Sequence, residues 1–142
     1  MQIKLLILLL LLPNKYIIVF VSKSNYNELL TDSSKVGDLN LVKLALKKGA
    51  NIHAIYDEAL RKAGRNGHIE TVKYLISQGA NIHAEDDFAL RWASENGHLE
   101  IVKYLVKSGA DIHANNNEAL RWARRDGHLK VVKFLEQQKY NK

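Results

Sequence analysis

The chain has no cysteine and one proline in 142 residues. The first absence excludes a disulfide framework, a cysteine-bearing zinc site and a thiol nucleophile. With eight glycines and 46% hydrophobic residues, the second argues against a disordered or low-complexity chain. No Asn-x-Ser/Thr acceptor occurs, so nothing supports glycosylation. Gly-rich phosphate loops, HExxH and GxSxG are missing too, and no catalytic constellation appears. A continuous basic stripe is also lacking. The net charge is +6, but residues 1–27 hold three lysines and no acid, while residues 118–142 carry a net +4. The stretch between them is close to neutral, which weighs against a surface that tracks phosphates. The length suffices for one compact domain with its own core.

Residues 1–24, "MQIKLLILLLLLPNKYIIVFVSKS", differ from everything after them. Lys4 precedes the apolar run Leu5 to Leu12, and a second run extends from Tyr16 to Val21. Pro13, Asn14 and Lys15 separate them, so neither run approaches the roughly 18–20 residues of a spanning helix. Read as one segment, residues 3–21 could just span, at the expense of burying Asn14 and Lys15. Ser22-Lys23-Ser24 is a poor small-x-small cleavage pattern. Three readings stay open: a signal peptide, an uncleaved anchor, or an apolar leader without an address that packs on the first repeat.

From about Asn25 the chain repeats with a period of 30. Four units follow, at 28–57, 58–87, 88–117 and 118–142, and with the approach from Asn25 they form one array over 25–142. "FALRWASENGHLEIVKYLVKSGADIHANNN" is the third. Its Ala89, Leu90, Trp92 and Ala93 share a helical face, and Gly97 supplies the left-handed residue that ends such a helix. Leu99, Val102, Leu105 and Val106 form the stripe of a second helix, widened by Ile101 and Tyr104. Gly49, Gly79 and Gly109 stop the second helices, and about seven turn residues follow. A two-helix unit of this size cannot bury its own apolar surface, but stacked neighbours can. The expected fold is an all-α solenoid of helix-turn-helix units, with equivalent residues in columns.

"NGHIETVKYLISQGANIHA" (66–84) and "NGHLEIVKYLVKSGADIHA" (96–114) resemble the second half of an ankyrin repeat, and the resemblance extends from Asn25 to about Gln138. The family's "TPLHLAA" is here "EALRKAG", "FALRWAS" and "EALRWAR". Arg61, Arg91 and Arg121 therefore stand where the family has histidine. The repeat is three residues shorter than the family's 33, and the loss falls in the turn that forms the protruding fingers. Weight shifts to the helix faces. The short form with "ALRWA" also resembles ankyrin arrays encoded by giant DNA viruses of amoebae. The resemblance implies a non-enzymatic module that binds a protein, a host protein in the viral case, through the concave face of its first helices and turns. It implies host cytoplasm if the leader is inert, and the secretory pathway or a membrane if residues 3–21 act.

All six histidines are periodic, at 53, 83 and 113 and at 68, 98 and 128. A metal needs ligands converging within about 2 Å of one ion, which columns spaced by helix packing do not supply. His68, His98 and His128 are expected to hydrogen-bond the turn at the start of the second helix. The three arginines are expected to brace turns with their five donors. Trp92 and Trp122 read as packing between repeats in preference to an interface hot spot. Lys43, Lys73, Lys103 and Lys133 read as a solvated row. The pattern calls for no cofactor, no metal and no small-molecule substrate. Positions the repeat leaves free are the candidate partner contacts: Arg65, Glu95 and Arg125, which differ in charge at one site, and the turn residues Asp57, Asp87 and Asn117.

Overall fold

The computed structural model describes residues 23–138, and every regular element among them is an α-helix. The helices are α1 (Lys23–Val36), α2 (Leu39–Lys47), α3 (Ala54–Arg65), α4 (Ile69–Ser77), α5 (Ala84–Glu95), α6 (Leu99–Lys107), α7 (Ala114–Arg125) and α8 (Leu129–Gln138). Odd-numbered helices pack closely on one another in a row. Even-numbered helices form a second, looser row behind them, each docked on its preceding partner. This is the expected all-α solenoid. The apolar leader at 1–24 lies essentially outside the described residues. Among the described residues no helix is long and apolar enough to cross a membrane.

The columns build one continuous core. Leu30, Leu60, Leu90 and Leu120 recur in the odd helices, and Ala59, Ala89 and Ala119 sit beside the last three. Val42, Val72 and Val102 recur in the even helices, and Leu75, Leu105 and Leu135 line up with Ala45. Each buried leucine or valine contributes about 1.5–3 kcal/mol of hydrophobic stabilisation. No unit closes this core alone. In the last described unit Leu129 is 76% exposed, whereas its equivalents Ile69 and Leu99 are part-buried.

The glycine after each first helix has a second task. Gly67 and Gly97 adopt φ of +83° and +73°, as a helix end requires. They also leave room for a histidine of the next unit. A Cβ on Gly97 would lie 2.5 Å from His128 Nδ1, and one on Gly67 would lie 2.8 Å from His98 Cε1. Past Gly37 and Gly67 respectively, His68 Nε2 donates to Lys35 O and His98 Nε2 to Arg65 O, both at 2.9 Å. The histidines thus bond the helix end of the preceding unit, where the sequence pointed to their own turn.

The turns have a defined backbone that their sequences do not announce. They run into the first turns of α3, α5 and α7: residues 55–57, 85–87 and 115–117, just inside those spans, are all left-handed, with φ between 47° and 60°, so the right-handed helix begins only after them. Asp and Asn tolerate that region best, and a β-branched residue such as Ile55 tolerates it poorly.

Gly127 has φ +75°, but nothing among the described residues lies within 4 Å of the place a Cβ would take. Gly127→Ala should cost about 1 kcal/mol, the left-handed penalty alone. Gly97→Ala adds the collision with His128 and should cost at least about twice as much, read as the shift in urea-unfolding free energy. Equal losses would remove the packing role from this glycine column.

Candidate functional site

The first-helix face is built from three columns. Asp32, Lys62, Trp92 and Trp122 form one, and Lys35, Arg65, Glu95 and Arg125 the second. The third is Arg61, Arg91 and Arg121, rooted behind the turns. Aromatics concentrate toward the C-terminal end. Phe88 packs on Trp92 with ring centroids 4.2 Å apart and meets Trp122 edge-on at 6.3 Å. Cations cover these rings: Arg65 lies 4.7 Å and Lys62 Nζ 5.9 Å from the Trp92 centroid, and Arg125 lies 5.8 Å from that of Trp122. Both indoles are part-buried, so they pack between units and still show a face to solvent.

Arg91 is the most heavily used residue of this face. It donates to Glu85 O at 2.8 Å and Asp86 O at 3.2 Å, bracing the left-handed turn from within. It pairs with Glu118 of the next unit, and both side chains are buried. Phe88 and Trp122 flank its guanidinium at 4.5 and 5.5 Å. Arg61 braces its turn in the same way, donating to Ile55 O at 2.7 Å and Tyr56 O at 3.0 Å. Arg121 departs from the expected bracing. Among the described residues it makes no bond to its turn; it is exposed and faces Glu118 at 3.5 Å.

The six predicted contact residues divide. Asp57 and Asp87 are 4% exposed and cannot be read as unconstrained turn positions. Asp57 Oδ1 accepts from the Asn81 N–H at 2.7 Å, and Asp87 Oδ1 from the Asp111 N–H at 2.9 Å. His53 and His83 donate to the same carboxylates from four residues upstream, at 3.0 and 3.1 Å. These carboxylates tie one unit to the next. Asn27 does likewise for the Asn51 N–H at 2.6 Å, a link that the sequence reading missed. Among the described residues, Asn117 keeps only the His113 bond at 2.7 Å. Glu95 and Arg125 face each other at 2.7 Å. Asp126 and then Glu95 drive the Arg125 pKa upward, and the bond from Arg125 holds the Asp126 carboxyl below its ordinary range. Arg65 is exposed and stacked, and forms no ion pair among the described residues.

Two recesses open on this face. One, of about 570 Å³, lies between α1 and α3 and is bounded by Glu28, Asp32, Glu58, Lys62 and the turn residue Ile55. Ile55 and its neighbour Tyr56 are 66% and 70% exposed. The other, of about 450 Å³, is lined by Lys35, Lys62, Arg65, Asn66 and Asn96. Among the described residues no group of three or more histidine or acidic side chains is placed to hold a metal.

The family model of ankyrin repeats in three copies matches residues 29–116 and again 87–142. The chain belongs to the ankyrin-repeat family. No curated protein matches it. Ankyrin repeats are generally protein-interaction modules and typically non-enzymatic. In this array the arginine in place of the family histidine holds a turn made of three left-handed residues.

Arg91→Leu should destabilise the array by about 3 kcal/mol, because it leaves buried Glu118 with only the exposed Arg121 at 3.5 Å as a cation. Arg61→Leu, at a half-buried position whose partners are backbone carbonyls, should cost about 1 kcal/mol. Arg91→Leu with Glu118→Leu should recover most of the larger loss. Urea unfolding of the three variants checks this; a double variant no better than Arg91→Leu would deny that the buried pair is the cause.

Proposed function

We propose that this array binds a partner protein through the face of α1, α3, α5 and α7 and the turns beside it. The observation that carries this reading is the set of rings at Phe88, Trp92 and Trp122, part-buried and flanked by arginines on one continuous face. Tryptophan and arginine are the residues most enriched at interface hot spots. The other face offers less. Its Lys73 and Lys103 pair with Glu70 and Glu100 three residues away, both at 2.9 Å, as a solvated helix surface does. Because stacked units hold the binding face in place, little ordering entropy is lost on binding.

Arg65, Glu95, Arg125 and Asn117 are the proposed contact positions. Asp57 and Asp87 support them from behind. The likeness of the short repeat to viral arrays favours a host protein as partner. A tethered or secreted form of the same module, addressed by residues 3–21, rests on the apolar leader alone and would leave the binding face unchanged.

A photo-crosslinking benzoylphenylalanine placed at Arg121, on the first-helix face, should give protein adducts in cells expressing the full chain. The same probe at Lys103, on α6, should give none. Adducts from Lys103 alone would move the binding surface to the second helices.

A further inference from the structure

On the basis of that face, we infer that the recess lined by Lys35, Lys62 and Arg65 receives the carboxylates of an acidic segment of the partner. The argument rests on one column and its pairing. Lys35, Arg65, Glu95 and Arg125 occupy the same position in successive units. One adjacent pair comes within bonding reach, Arg125 and Glu95 at 2.7 Å, whereas Glu95 and Arg65 form no ion pair among the described residues. At the C-terminal end this contact joins opposite charges and satisfies itself. At the N-terminal end the column places a lysine beside an arginine, and both line one recess. Neither Lys35 nor Arg65 has an acidic partner within 4.0 Å among the described residues, and Lys62, which borders the same recess, reaches Glu58 only at 3.7 Å.

The surroundings fit a carboxylate guest. Arg65 lies over the Trp92 ring, which orients its planar fork without consuming its donors. Asn66 and Asn96 bond the carbonyls of Lys62 and Trp92 at 2.8 Å through Nδ2, which fixes the rim. Polyanionic nucleic acid fits less well. A phosphate chain leaving the recess along the face would meet Glu58 on one side and Glu95 on the other, whereas a peptide can place acids only where cations wait. The adjoining recess between α1 and α3 shares Lys35 and Lys62 and ends at exposed Ile55, so a peptide has room to continue past the cations.

The test titrates the full-length chain with a fluorescein-labelled oligo-glutamate peptide, its oligo-glutamine counterpart and a single-stranded oligonucleotide, read by anisotropy. Oligo-glutamate should bind and oligo-glutamine should not. Arg65→Glu supplies Lys35 with an internal partner and should weaken binding by about tenfold or more, while Lys73→Glu, with the same change in net charge, should leave it within about twofold. Glu95→Gln removes a negative charge from the same column, while Arg125 keeps Asp126 at 2.7 Å, and should tighten binding, an outcome that misfolding cannot produce. Equal losses from Arg65→Glu and Lys73→Glu, no binding of oligo-glutamate, or tighter binding of the oligonucleotide would overturn the inference. If that happens while the Arg121 probe still crosslinks a protein, only the acidic chemistry of the partner is lost and the binding face stands.

Discussion

One side-chain oxygen accepts the backbone N–H found 24 residues further along, and it does so at Asn27, Asp57 and Asp87. Much of the array depends on this contact. The N–H groups it satisfies belong to turns, which have no helix ladder to use them. Histidines 53 and 83 hold the acceptor in place from within the same turn. Because Asp57 and Asp87 are almost fully buried, an acceptor lost there leaves a donor away from water, at a penalty of about 1–3 kcal/mol. The bond also sets the distance between successive turns. The alignment of Lys35 with Arg65, and of Glu95 with Arg125, depends on that distance.

The short turn and the arginine belong together. Three consecutive left-handed residues make a compact reversal, and they bring two backbone carbonyls together at the helix start. A guanidinium is suited to collect them, having several donors in one plane. Arg61 and Arg91 each take two such carbonyls. Histidine at that position could donate from one nitrogen while the other stayed free. Losing three residues from each turn and gaining arginine thus read as one change seen at two positions.

The helices, their glycine stops and the core columns were legible because each depends on a local period or a local backbone need. Leu90 and Val102 sit where a 3.6-residue stripe puts them, and both are fully buried. The left-handed turns were less so. Asn115, Asn116 and Asn117 carry the residue type that favours this region, but Ile55 and Tyr56 adopt it with no such signal. Their conformation is imposed by Arg61, by the neighbouring unit and by the aspartate link. Variation between copies was the guide to surface positions, and it misled at Asp57 and Asp87. Aspartate and asparagine differ in charge yet offer the same acceptor oxygen, so a position can vary while its hydrogen bond does not.

Variation was more informative at Lys35, Arg65, Glu95 and Arg125, and only after geometry was added. A charge series along a solenoid is a series of neighbour pairs, and the pairs decide what the surface offers. Glu95 with Arg125 closes on itself and presents little net field. Lys35 with Arg65 cannot close, and the buried Arg91–Glu118 pair beneath the same face has no spare charge to lend it. Local repulsion between exposed cations costs little in water and is screened by salt, so the fold tolerates it. An anion from outside relieves it and gains two or three charge-assisted hydrogen bonds at once. The stack therefore separates its labours: identical contacts at 57 and 87 hold it together, and unlike charges at 35, 65, 95 and 125 make one end of it different from the other.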